Sequence, residues 1–280
     1  MKNRIWLVTG STSGFGLSLC KTIVEKGGSV VAGVRNVDKA QSLLGSIDRR
    51  HCIIQKLDVT QPEDASAAVD IAIKKFGRLD VVVNCAGYGS FGAFEEVPDI
   101  EVRQQFETNV FGSMNVIRAA LPQMRKQRDG LIVQFSSLAG IAPPAAGLAV
   151  YASTKFAVEG LCEGLRLDVA HLGINVMLVE PGDFMTGFGD ALTITPIKNH
   201  DYSPSVGAAG EAFATMNSAR LGDPGLAAHA IIESVLRGEA QHLVLGEDAL
   251  EKIKEKLTFR LTELERWSDT GKGLTVGSSS

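Results

Sequence analysis

Short runs of apolar, often β-branched residues recur along the chain, separated by longer segments whose apolar positions return every three or four residues. The short runs are Arg4–Thr9 (RIWLVT), Ser29–Val34 (SVVAGV), Cys52–Leu57 (CIIQKL), Leu79–Asn84 (LDVVVN), Leu131–Ser136 (LIVQFS), Ile174–Glu180 (INVMLVE) and His242–Gly246 (HLVLG). Near-continuous apolar character predicts strands covered on both faces, as in a parallel sheet. Strands that alternate with helical patterns need crossover connections. The expected fold is therefore α/β: a doubly wound, Rossmann-type sheet of about seven parallel strands flanked by helices. Ligands of such sheets lie beyond the carboxyl ends of the strands.

The pattern loosens from Phe184 to Leu221, where Gly187, Gly189, Pro196, Pro204, Gly207 and Gly210 punctuate mixed residues. A segment of this kind reads as a mobile substrate cap, or as a surface insertion. Further on, Leu250, Ile253, Leu257, Leu261, Leu264 and Trp267 form the stripe of an amphipathic helix, for packing on the body or on a second subunit. The chain reads as one dinucleotide-binding catalytic domain over 1–270, with the cap at 184–221 and a disordered tail at 271–280.

Composition narrows the partners. Of 280 residues 45% are apolar and 21% charged, and a formal charge of −4 spread along the chain fits neither disorder nor nucleic-acid binding. Cys20, Cys52, Cys85 and Cys162 lie far apart, with no metal-ligand spacing, so reduced thiols and no metal are expected. The apolar run at the N-terminus is too short for a signal peptide, and a cytoplasmic enzyme is expected. The uncharged stretch Phe135–Thr154 contains Pro143 and Pro144 and is no membrane span.

Gly10, Gly14 and Gly16 stand in TGSTSGFG, directly after the first strand. Glycines let the backbone approach a pyrophosphate, and a helix starting near Gly14 offers free N–H groups and a positive dipole end; Ser11, Thr12 and Ser13 add hydroxyls around Phe15. At the end of the second strand, Val34 stands where a carboxylate would bind a free ribose 2′-hydroxyl, and Arg35 follows. A guanidinium without that carboxylate favours a 2′-phosphate, hence NADP(H). Tyr151 and Lys155, four apart in YASTK, share one helix face, where an ammonium would lower the pKa of the phenol.

Taken in order, TGSTSGFG, NCAG (Asn84–Gly87), TNVFG with Asn109, FSS with Ser137, YASTK and EPG (Glu180–Gly182) resemble the short-chain dehydrogenase/reductase superfamily over Arg4 to about Gly246. The C-terminal portion looks like the hydroxysteroid- and retinol-dehydrogenase-like branch. The resemblance implies Tyr151 as general acid/base, with Lys155 lowering its pKa and bonding the nicotinamide ribose. It implies Ser137, with Ser136 in reserve, holding the substrate oxygen, and Asn109 anchoring a water toward Lys155. It further implies Asp58, next to Val59, at the adenine; Asn84, Ala86 and Gly87 along the cofactor; and Pro181, Gly182 and Thr186 at the carboxamide. A homodimer or homotetramer pairing through the helices around Asn109 and Tyr151 is likewise implied.

Each position also has a plain structural reading. Asn109 could bond only its own backbone, Lys155 could be a solvated charge, and Asp58 could cap the helix that follows. The uncharged loop between Ser137 and Tyr151 excludes water from a hydride transfer. With Phe91, Phe94, Phe184, Met185 and Phe188 near site-forming loops, it points to a hydrophobic alcohol or ketone as substrate. A nucleotide-binding regulator and a redox-neutral isomerase or dehydratase are the alternatives.

Overall fold

The computed structural model describes residues 4–189, 192–215, 221–238, 241–272 and 274. In chain order the elements begin β1 (Ile5–Thr9), α1 (Gly14–Glu25), β2 (Ser29–Val34), α2 (Val37–Leu44), β3 (Cys52–Lys56), α3 (Pro62–Phe76), β4 (Val81–Asn84), β5 (Ser90–Phe91), α4 (Asp99–Phe106) and α5 (Gly112–Gln127). They continue with β6 (Gly130–Phe135), α6 (Ala149–Val169), β7 (Ile174–Pro181), β8 (Thr193–Ile194), α7 (Ala208–Ala214), α8 (Pro224–Arg237), β9 (His242–Leu245), α9 (Glu247–Arg266) and α10 (Ser268–Gly271).

One seven-stranded sheet runs β3-β2-β1-β4-β6-β7-β9, and all its pairs are parallel. Chain order reverses between β1 and β4, so the carboxyl ends of these two strands frame the ligand crevice of the doubly wound fold. Each expected strand forms, with ends moved by one or two residues. Thus β4 starts at Val81 rather than Leu79, because the Gln127 side chain takes both the N–H (3.0 Å) and the C=O (2.8 Å) of Leu79.

The pleat explains the continuous apolar runs. Leu7, Val31, Val82, Ile132 and Leu178 pack under α3, α5 and α6. Their neighbours Trp6, Val8, Val30, Val83, Val133 and Val179 pack under α1, α2 and α8. Both faces are thereby dry, as a parallel sheet requires. Helix starts and stops follow local chemistry: α3 opens on Pro62 and closes on left-handed Gly77, and Asp223 caps α8 through the N–H of Gly225. All four cysteines are free.

Sequence patterning did not reveal the small parallel pair β5·β8, with Ser90 opposite Thr193 and Phe91 opposite Ile194. It ties the 184–221 segment to the loop after β4, and a bridge from Phe184 to Gly222 joins the base of that segment. Within the described part of the segment α7 forms, and Phe213 meets Phe91 edge-on at 5.5 Å. Most of the tail expected at 271–280 lies outside the described residues. No helix among the described residues is long and apolar enough to cross a membrane.

Candidate active site

The turn after β1 is shaped by its glycines. Gly10 and Gly14 have positive φ (69° and 47°), where side chains are strained. A Cβ on Gly10 would stand 3.0 Å from the backbone of Ala86, and one on Gly14 would stand 2.7 Å from the Cβ of Thr186. A Cβ on Gly16 would run into the Gly10 carbonyl, so only glycine lets α1 start this close to β1. Ser13 precedes α1 without making a side-chain cap, which leaves the first-turn N–H groups to an anion. The bare backbone, exposed Ser13 and half-buried Thr12 and Phe15 suit a pyrophosphate. Ser11 differs from its expected role: it is fully buried and donates its hydroxyl to the carbonyl of Val8 at 2.8 Å, so it offers the turn no free hydroxyl.

Thr9, which the motif reading passed over, locks the crevice. Its hydroxyl accepts the N–H groups of Cys85 and Ala86, each at 3.0 Å, joining the ends of β1 and β4. Asn84 is buried beneath this junction, donating to Gln134 Oε1 (3.1 Å) and the Ser113 carbonyl (3.3 Å). It braces the loop from below, while Gly87 is exposed on top. Asp58 does not cap α3, which Gln61 precedes; its Oδ1 accepts from the N–H and hydroxyl of Thr60. Val59 is buried against Gly112. Arg35 is exposed at the end of β2 and close enough to Tyr88 to oppose part of the rise that burial causes in its phenol pKa.

On the other side of the crevice, α6 presents Tyr151 and Lys155 one turn apart, both buried. Ser137 stands extended after β6, accepts the N–H of Ala139 at 3.1 Å and lies near enough to the Tyr151 phenol to oppose part of the rise in its pKa. Its neighbour Ser136 is buried, and its hydroxyl has no hydrogen-bond partner among the described residues. Of the two serines, Ser137 is the one that bears on the phenol. Lys155 Nζ donates to the Phe135 carbonyl at 3.0 Å and lies 5.7 Å from the Tyr151 ring centre. Burial lowers Lys155 to about 8. It pushes Tyr151 up to about 12, against the opposing effect of Ser137. The expected lowering of the phenol pKa by the ammonium is not found: burial is the largest effect and raises it, so Tyr151 keeps its proton at physiological pH.

Asn109 belongs to a single π-turn, Glu107–Phe111, between α4 and α5; such turns recur at functional sites. Its amide is held by Tyr88, whose N–H it accepts (3.1 Å) and whose carbonyl it donates to (2.9 Å), and by Thr154 Oγ1 (3.0 Å). A Cβ on Gly87 would fall 3.0 Å from Asn109 Oδ1 and 3.9 Å from Lys155 Nζ. The glycine thus leaves the space between asparagine and lysine open. Gly182 begins the loop after β7, its N–H on the Leu245 carbonyl (2.9 Å), with Pro181 buried before it and Thr186 against Gly14.

Residues 4–195 match the family model described as short chain dehydrogenase. The chain is a short-chain dehydrogenase/reductase. "Oxidoreductase BOA17" of Botryotinia fuckeliana is 32% identical over 268 residues, 95% of this chain and 97% of that protein. The "3-ketodihydrosphingosine reductase" of Bacteroides thetaiotaomicron is 39% identical over 212 residues, 73% and 74% of the two chains. A crystal structure of a short-chain dehydrogenase from Streptomyces avermitilis, 35% identical, superposes with a TM-score of 0.87 over 97% of this chain and all of that one. This short-chain dehydrogenase/reductase is therefore an oxidoreductase.

The site of this oxidoreductase has an apolar wall. Phe91, Leu148, Val206 and Ala139 are buried around Tyr151, and the Phe188 ring lies 5.1 Å from the Tyr151 ring. Among the aromatic and sulfur side chains expected there, Phe94 and Met185 are exposed instead, and Phe184 packs on Phe15 at 5.1 Å, beside the glycine turn.

Behind α6 lies a cluster that spacing gave no hint of. His242 Nδ1 meets buried Glu180 at 2.5 Å and its Nε2 meets Glu163 at 2.8 Å. Potential ligand atoms of Glu159, Glu180 and His242 fall within 4.8 Å of one another, but both ring nitrogens already engage carboxylates. Burial pushes Glu159 up to about 7, against the Ser136 hydroxyl. A carboxyl raised from 4.5 favours the fold below about pH 4.5, and that stability is lost as pH rises through about 7. Glu159→Gln should accordingly flatten the fall in Tm between pH 5 and pH 8, with a gain of about 2–4 °C at pH 8, read by calorimetry. An unchanged slope would place the ionisation elsewhere.

Proposed function

We propose that this enzyme interconverts a hydroxyl and a carbonyl on an apolar small molecule with NADP(H). The single observation that carries the reading is the buried Tyr151 hydroxyl near Ser137, with Lys155 one turn away and an apolar wall around them. Gly10 to Gly16 would hold the pyrophosphate, Arg35 the 2′-phosphate, Asp58 the adenine side, Lys155 the ribose, and Pro181, Gly182 and Thr186 the carboxamide. The dinucleotide supplies or accepts the hydride. Ser137 and Tyr151 grip the substrate oxygen; Tyr151 gives it a proton in reduction and, having first passed its own proton toward the water beside Lys155, takes one in oxidation. Lys155, charged below about pH 8, stabilises the phenolate left after proton donation. Gly87 leaves room for a water between Asn109 and Lys155 to restore the proton.

An apolar substrate follows from Phe91, Leu148, Val206 and Phe188, which offer dispersion contacts but no donors to a polyol. The sphingoid name of one relative is in keeping with that choice. NADPH oxidation at 340 nm against a graded set of long-chain, terpenoid and steroid ketones and of sugars tests it. Turnover is expected to rise with substrate hydrophobicity and to be absent with sugars. Tight NADPH binding without oxidation by any ketone would favour a regulator that keeps the nucleotide as a structural ligand, and substrate conversion without net NADPH loss would favour an isomerase or dehydratase.

A further inference from the structure

Past Ile253, helix α9 carries its apolar stripe away from the body. Ile253 is buried with Leu138, Ala142 and Ala249. On the same stripe, Leu257, Leu261, Leu264 and Trp267 are 52–70% exposed. An apolar groove runs between the helix and β9, the edge strand of the sheet, lined by Val244, Leu250, Leu257 and Leu261. Large apolar side chains repeated at three- and four-residue spacing on an uncovered helix make the seam of a helix pair.

The stripe is complementary to itself. Leu250, Ile253, Leu257, Arg260, Leu264 and Trp267 occupy successive a and d positions of a heptad. Laid antiparallel on a copy of itself, with the twofold axis between Thr258 and Phe259, the helix sets Leu250 against Trp267 and Leu257 against Arg260, each twice, and brings Leu264 over the groove whose floor is Ile253, itself buried in its own body. The Arg260 stem covers the opposing leucine while its guanidinium stays in water. In this register the flanking positions bring Lys256 beside Glu263 of the second copy, again twice. Within one copy these charges have weak partners: Glu263 reaches Arg266 at 3.5 Å, and Lys256 lies 5.7 Å from the Phe259 ring centre. Acidic and basic residues are interleaved along α9, which suits a like copy and not an anionic lipid surface.

We infer that α9 is a pairing element: two copies of this chain join through antiparallel α9 helices, Leu264 and Trp267 of each seated in the groove beside Leu250 and Val244 of the other. This face is separate from the helices around Asn109 and Tyr151. Sedimentation of the full chain over a concentration series tests it, with circular dichroism confirming that each variant is folded. The wild type is expected to associate, and Leu264→Glu combined with Trp267→Glu to weaken association roughly tenfold. Lys256→Glu alone and Glu263→Lys alone should each weaken it by several-fold, about the effect of facing like charges, and the double exchange should restore it. A monomeric wild type overturns the inference, including one that binds anionic vesicles through Trp267. So does association that ignores the Leu264 and Trp267 changes, or a double exchange that fails to restore it.

Discussion

Tyr151→Phe is expected to lower kcat for carbonyl reduction by about 100- to 10,000-fold, the range typical of a lost general acid, and to leave the Kd for NADPH nearly unchanged. The phenol is buried and held neutral by desolvation, so as the proposed acid it would meet the substrate oxygen with its proton in place over the whole physiological range. Phenylalanine keeps the ring that packs against Phe188 and Leu148. The groups around the nucleotide, including Lys155 on the Phe135 carbonyl, do not depend on the hydroxyl. The loss therefore belongs in the chemical step, and single-turnover kinetics with a saturating ketone measure it. The pH profile adds a second check. Reduction should hold steady up to about pH 8 and fall above it, as the Lys155 ammonium is lost and the developing phenolate loses its stabilising charge. Full activity in the phenylalanine variant would remove Tyr151 from the mechanism.

The frame of this fold was legible because its strands are buried on both faces. Leu7 and Val8 point to opposite helical layers yet must both be apolar, so the run itself announces a parallel strand. The glycines at positions 10, 14 and 16 were legible for a similar reason, since close approach and positive φ exclude other residues. What sequence spacing hides are partnerships made across the sheet. Thr9 reads as the last residue of a strand, and only the pairing of β1 with β4 turns its hydroxyl into the lock of the crevice. Ser11 reads as a free hydroxyl until the turn folds it onto Val8. Glu159, Glu180 and His242 lie on three elements, and no pattern of charges along the chain brings them together. The raised Tyr151 pKa is hidden for a related reason. Four-residue spacing reveals a nearby amine, but not that the phenol is sealed under Phe188 and Val206, where burial is the larger effect.

Arg35→Ala should raise the Kd for NADPH by about 10- to 100-fold, the worth of one to two charge-assisted hydrogen bonds, while leaving the Kd for NADH nearly as it was. Arg35 follows a strand whose last residue is Val34, buried and apolar, so no carboxylate at that position repels a 2′-phosphate or accepts from a free 2′-hydroxyl. The guanidinium stands exposed at the carboxyl end of β2, in reach of the field around Tyr88 across the crevice. A planar fork there can hold two phosphate oxygens at once. Because the proposed contact would lie far from the reacting atoms and be made equally in the ground and transition states, kcat with saturating NADPH should stay near the wild-type value. Arg35→Lys separates charge from geometry: a point charge should recover part of the NADPH affinity but not the bidentate share. Titration of both dinucleotides by fluorescence gives the ratio directly. If it is the same before and after the alanine change, the selectivity resides in other residues of the crevice and the preference for the phosphorylated coenzyme loses its physical basis.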